Sequence, residues 1–222
     1  METILLTIAF FASMGLAFLN EKNKRKAKII KERMRKRKEI SRKIDMIKKS
    51  SYKDTKTASL LIILLEDFSL HNDVGVKITD IEIEKIEKQL KLTFPLSYKL
   101  FLKYFGDGGK WIYTQSIDYL RNPSWLNTYI KGLDKKIELV GEKEIPVNTL
   151  LCLMSEDSNG GAWCWLTSEV SKEGEWPLAY YSMGDKKLHY KVENFTEWLK
   201  ILVTRKSEVI VELDIDYKLG LG

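Results

Sequence analysis

The chain has 222 residues, 44% of them hydrophobic, which suits one globular domain of ordinary size plus an appendage. Its net charge of +6 averages two different regions: residues 22–49 hold fifteen Lys or Arg against Glu32, Glu39 and Asp45, a balance of +12, whereas residues 50–222 balance to −4. Two cysteines, Cys152 and Cys164, exclude a disulfide framework and are expected as thiols buried like small apolar side chains.

Ile4 to Leu19 is an uncharged run of sixteen residues, followed at once by the basic block that starts at Lys22. Apolar first and basic second predicts a single-pass anchor at residues 1–20, with the N-terminus outside and the remainder cytoplasmic. A cleavable signal peptide carries its positive charge before the apolar run, and Ala17-Phe18-Leu19 is a poor cleavage site. At about 1.5 Å per residue the run spans about 24 Å, against about 30 Å of hydrocarbon, so Thr3 and Asn20 must extend it.

Residues 21–56 are expected as a basic helical stalk and hinge. Ile40, Ile44 and Ile47 share one helical face, and Ile29, Ile30 and Met34 lie roughly on another. Lys22 to Lys49 suits anionic lipid headgroups, while a solvated face that only sets topology explains the charge equally. Nucleic acid is disfavoured because no aromatic residue interleaves the block.

The domain is expected over residues 57–222. Ala58 to Leu70 reads as a buried first helix, with Leu60 to Leu65 far too short to cross a bilayer. Thr79 and Glu82 make a capping box for the next helix, which buries Ile83, Ile86 and Leu90. Phe94-Pro95 breaks the chain, and Pro95 suits the first turn of a third helix carrying Tyr98, Phe101, Leu102 and Phe105 inward. Beyond Gly109, strands are expected at 110–113, 136–140, 150–154, 162–166, 177–182 and 188–192. Asn194 and Glu197 cap a short helix, and the alternation of residues 209–217 reads as a closing half-exposed strand. The predicted class is α+β, a mixed, mostly antiparallel sheet with packed helices, preceded by the transmembrane helix and stalk.

Three stretches carry a resemblance. Residues 79–109 pair an acidic helix with Phe94-Pro95-x-x-Tyr98-x-x-Phe101-Leu102 and then Gly108-Gly109. Residues 150–166 set a polar glycine-containing turn before an apolar strand with a cysteine, and residues 176–202 run Trp176-Pro177, Tyr180-Tyr181, Phe195-x-x-Trp198-Leu199. Over roughly residues 58–203, most strongly 79–203, this order resembles the SUKH superfamily, which includes fungal cell-wall assembly regulators and many bacterial toxin-immunity proteins. Two positions depart from it: Gly160-Gly161 stands where that superfamily often has Gly-Asp, and Thr167-Ser168 where an Asp is frequent. The resemblance implies an immunity role, a domain that neutralises a toxin by covering its active surface. Such toxins are often nucleases with basic clefts, which a mildly acidic domain suits.

No catalytic constellation stands out, and no enzyme activity, metal or cofactor is expected. His71 and His189 lack metal-ligand spacing with either cysteine. A Cys164–His189 pair oriented by Asp157 is conceivable, but a buried thiol and a hairpin histidine explain both. The six tryptophans cannot all be fully buried in so small a domain: core packing is the favoured role for any one of them, those near loops suit partner anchors, and Asp107, Trp111, Asp157, Asn159, Trp163 and Trp176 are the candidate partner-binding residues. The partner is a protein, either a toxin or, for a non-enzymatic scaffold of envelope assembly, a component of the envelope.

Overall fold

A computed structural model describes residues 2–49, 55–71, 76, 78–107, 109–113, 115–117, 124–153 and 161–219. The chain divides into two units, Met1–Asp45 and Met46–Gly222. The first lies in a single helix, α1 (Glu2–Lys49), which runs through the apolar and basic segments without a break. It contains no proline, and exposed pairs one turn apart, Arg25–Glu21 at 2.7 Å and Arg35–Glu32 at 2.6 Å, support it. Ile29, Ile30 and Met34 are exposed, whereas Ile40, Ile44 and Ile47 are buried.

The expected single-pass anchor needs correction. Among the described residues no helix is long and apolar enough to cross a membrane. Ile4 to Leu19 is not a helix in its own right but the start of one 48 residues long, most of which is polar or charged. Its own length of about 24 Å also falls short of the bilayer core. The side chains of residues 2–17 and of Leu19 lie outside the described residues. The outside–inside topology built on the anchor falls with it.

The second unit starts with three helices, α2 (Thr55–His71), α3 (Asp80–Leu90) and α4 (Leu96–Tyr104). The capping box of α3 is present: the Thr79 hydroxyl accepts from the Glu82 amide at 3.3 Å, and the Glu82 carboxylate accepts from the Thr79 amide at 2.9 Å. Lys91 ends α3 in the left-handed region (φ 55°), and Pro95 stands at the N-cap of α4. Two small antiparallel pairs follow, β1 (Gly109–Ile112) with β2 (Gln115–Ile117), and β3 (Lys136–Glu138) with β4 (Glu144–Pro146), with the one-turn helix α5 (Leu126–Tyr129) between them. The main sheet is antiparallel in the order β5 (Leu150–Cys152), β6 (Gly161–Leu166), β7 (Leu178–Ser182), β8 (Leu188–Val192). Helices α6 (Phe195–Arg205) and α7 (Val209–Lys218) close the chain. The α+β class is as expected.

Every residue of β6 is buried, so both faces of the main sheet are covered. Because successive side chains point to opposite faces, Trp163 and Trp165 share one face and Ala162, Cys164 and Leu166 the other. The tryptophan face meets α4 and α6 through an aromatic layer: Tyr98 lies 5.2 Å from Trp165 and from Phe195, and Phe195 stacks on Trp198 at 5.6 Å. Helix α2 packs on α4 and α6, where the buried hydroxyls of Thr57 and Thr196 meet at 2.5 Å. The opposite face packs against Leu126 of α5 and Ile137 and Ile145 of the β3–β4 pair. The sheet is thus the middle of three layers.

One further element differs from expectation. Residues 209–217, read as a strand, form α7. Val209 and Ile210 are neighbours and both buried, which a half-exposed strand forbids and a helix entering the core allows. Arg205 pairs with Glu212 at 3.1 Å and Asp216 at 2.8 Å, two acids one helical turn apart, and Lys218 pairs with Asp214 at 2.5 Å.

Candidate partner-binding surface

The sequence-derived contact residues separate. Trp163 (0% exposed) and Trp176 (2%) are core, not surface anchors. Trp163 meets Tyr180 and Trp198 edge-on at 5.7 and 6.3 Å, and Trp176 meets Phe94 and Trp165 at 6.0 Å each. The indoles fill the space between sheet and helices, so neither is presented to a partner. Asp107 is also buried, at the end of α4, where its amide donates to the Val76 carbonyl at 2.7 Å. Trp111 stands on β1 with its side chain outside the described residues, as are Asp157 and Asn159 altogether.

An exposed rim lies at one end of the main sheet. There β5 finishes, β6 begins at Gly161 opposite Ser182, and the β7–β8 turn runs from Ser182 to Leu188. Val140 comes alongside, its amide donating to the Leu188 carbonyl at 3.0 Å next to a Leu139–Leu188 bridge. Val140 (47% exposed) and Met183 (43%) are the apolar side chains of this rim. No periodicity marks them: Met183 sits in a turn, and Val140 reads as the inward end of a strand.

Two charge pairs flank the rim. Lys187 pairs with Glu138 at 2.6 Å, and the His189 ring donates from Nε2 to Asp185 at 2.8 Å. Burial pushes the Asp185 carboxyl up, but hydrogen bonds from Ser182, His189 and the Lys187 amide outweigh it and hold the group below its usual range. Further along, Glu169 lies between Lys191 at 3.0 Å and Lys143 at 3.2 Å, and Lys191 also holds Glu142 at 2.9 Å. These pairs tie the β3–β4 turn to β8 and to the segment after β6.

Burial raises the Glu169 carboxyl, but Lys191 and Lys143 together lower it below 4.5. A carboxyl depressed in the folded chain contributes stability above its unfolded value, and that contribution is lost as pH falls through the folded value. Glu169→Gln is accordingly expected to cost about 1–3 kcal/mol at neutral pH. The difference from the parent should shrink as pH drops below 4.5, read by chemical denaturation across pH. A difference independent of pH would show that packing, not charge, holds this corner.

Cys164 and His189 do not form the conceivable nucleophile pair. His189 lies opposite Tyr180, on the face of Trp163, whereas Cys164 lies opposite Ala179 on the other face. Cys164 instead faces Cys152. Among the described residues no group of three or more His, Cys, Asp or Glu is placed to hold a metal ion. A depression of about 340 Å³ at the end of α3 is lined by Glu84, Glu87, Lys88, Lys91, Leu92 and Thr93. Its central carboxylate, Glu87, serves the fold, taking the Phe94 amide at 2.6 Å and Lys99 at 2.7 Å.

With this geometry in hand, comparison with known proteins gives one family: the family described as SMI1-KNR4 cell-wall (SUKH_6) matches residues 80–199, from the start of α3 into α6 and more than half of the chain. No curated protein matches the chain.

Proposed function

Because the chain belongs to the SUKH_6 family, SMI1-KNR4 cell-wall, and so to the SUKH superfamily, we propose that it is a non-catalytic protein-binding domain of the immunity type, which neutralises a toxin by covering it. The observation that carries this reading is the extent of the match, which takes in the main sheet, the α5 and β3–β4 layer on one face and, on the other, α4 with the start of α6. The rim supports it: two exposed apolar side chains, Val140 and Met183, stand on the same turns and strands as the Lys187–Glu138 and His189–Asp185 pairs, the composition of a partner contact with a polar margin. The −4 balance of residues 50–222 favours a toxin with a basic cleft.

Crosslinking the full-length chain in cells and identifying what is captured tests the proposal. A single small toxin domain is expected, together with protection of cells that co-express it. Val140→Arg and Met183→Arg, both at exposed positions, should weaken that binding about tenfold or more each while leaving thermal unfolding unchanged. The family's description as cell-wall favours a second reading, a scaffold or regulator of envelope assembly. Envelope-assembly proteins in the crosslinked fraction would support that one instead. Absence of any protein partner, with no protection by co-expression, sinks both.

A further inference from the structure

Cys152 and Cys164 stand directly opposite each other on β5 and β6, with their sulfurs 3.9 Å apart. The ladder shows which kind of pair this is. The Leu153 amide donates to Trp163 at 2.8 Å, while the Cys152 amide turns away from Cys164 and donates to Ser124 at 2.9 Å. The two cysteines therefore occupy a non-hydrogen-bonded site, where opposed side chains lie closest and Cα atoms are about 4.5 Å apart. That separation falls at the short end of the range that a disulfide spans, about 4.4–6.8 Å. Closure asks the sulfurs to approach by about 2 Å, which side-chain rotation supplies without moving either strand. Space exists for it, since Cys164 is flanked on its own face by Ala162 along β6 and by Ala179 across on β7.

We propose that Cys152 and Cys164 are an oxidisable dithiol, a modification site that a small hydroperoxide closes into a cross-strand disulfide. Cys152 is the less deeply buried residue of the two, 5% exposed against 0% for Cys164. Its thiolate attacks one peroxide oxygen, the O–O bond breaks, and the leaving oxygen departs as water, or as the alcohol of an organic peroxide, once protonated. The Cys164 sulfur then attacks the resulting sulfenic acid; the S–S bond forms, the S–O bond breaks, and the hydroxyl leaves as water with the Cys164 proton. Two thiols are oxidised and one peroxide is reduced. The bond closes a covalent ring over residues 152–164, which includes Asp157 and Asn159 and pins the roots of β5 and β6. Because the pair sits at the short end of disulfide geometry, a dithiol reductant reverses it.

The test is to expose the full folded chain to hydrogen peroxide, quench it, denature it in an alkylating agent and weigh it. The expected product is a monomer lighter by two hydrogens that takes no alkyl group, with an unchanged circular dichroism spectrum. Its digest should contain one linked peptide joining Cys152 to Cys164, and dithiothreitol should restore two alkylatable thiols. Full alkylation after peroxide would overturn the proposal. So would added oxygen at either sulfur, or linkage confined to dimers between chains.

Discussion

Phe195→Ala is expected to lower the unfolding free energy by about 3–5 kcal/mol, the range for deleting a fully buried aromatic side chain. Phe195 is 0% exposed and opens α6, where the Asn194 side chain accepts from the Glu197 amide at 3.0 Å. Its ring lies 5.2 Å from Tyr98, 5.3 Å from Phe101, 5.6 Å from Trp165 and 5.6 Å from Trp198. The rings it touches belong to α4, β6 and α6, so its loss leaves a cavity where helices and sheet meet. Neighbouring rings cannot collapse into that space without leaving their own edge-on contacts, so the cost should sit in the upper part of the range. Chemical denaturation measures it, with Ile81→Ala, at a 79% exposed position, as the control expected to stay within about 0.5 kcal/mol. A loss below about 1 kcal/mol for Phe195→Ala would mean that the aromatic layer is not the centre of the core.

Local chemistry made much of this fold legible in the sequence. The capping box at Thr79 and Glu82, the break at Phe94-Pro95 and the cap at Asn194 each act within a few residues, and each appears where expected. The strands from β5 to β8 were legible because apolar runs alternate with glycine-rich or polar turns. Residues 209–217 were not, because their apolar residues alternate with acids as in a half-exposed strand, although the helix buries only its first turn, half-buries Glu212, Asp214 and Asp216 and leaves Val211, Ile215 and Tyr217 exposed. Only Arg205, four residues before the element, distinguishes the two by reaching Glu212 and Asp216 together. The tryptophans divide between the two readings: a sheet covered on both faces buries Trp163, Trp165, Trp176 and Trp198 at once, as core packing expects, whereas Trp125 is only half-buried. The anchor misled because an apolar run next to a basic block signals topology only when the run itself spans a bilayer. The rim and the facing cysteines depend on strand register, which no single segment of the chain encodes.

Gly161→Asp is the most informative single substitution, because the superfamily resemblance favours that residue and the local packing forbids it. Gly161 opens β6, buried and paired with Ser182. A Cβ there would lie 2.2 Å from Cζ and Oη of Tyr180 and 2.5 Å from the Tyr181 carbonyl oxygen. The Tyr180 ring has little freedom to yield, being 4% exposed and set against Trp163, and the carbonyl is backbone. Gly161→Ala should therefore cost about 1–3 kcal/mol at every pH, as overpacking does. Aspartate adds a carboxylate with no arranged partner, so its total cost should reach about 3–5 kcal/mol at neutral pH. Burial raises the pKa of such a carboxyl, so the added cost should shrink as the pH falls and the group takes up a proton. Denaturation of the two variants side by side across pH separates the contributions. Equal losses at all pH values would mean that the aspartate reaches solvent and that only the Cβ collides. A stable Gly161→Asp chain would mean that the start of β6 moves to admit it, bringing this chain closer to the superfamily pattern at the foot of its proposed binding rim.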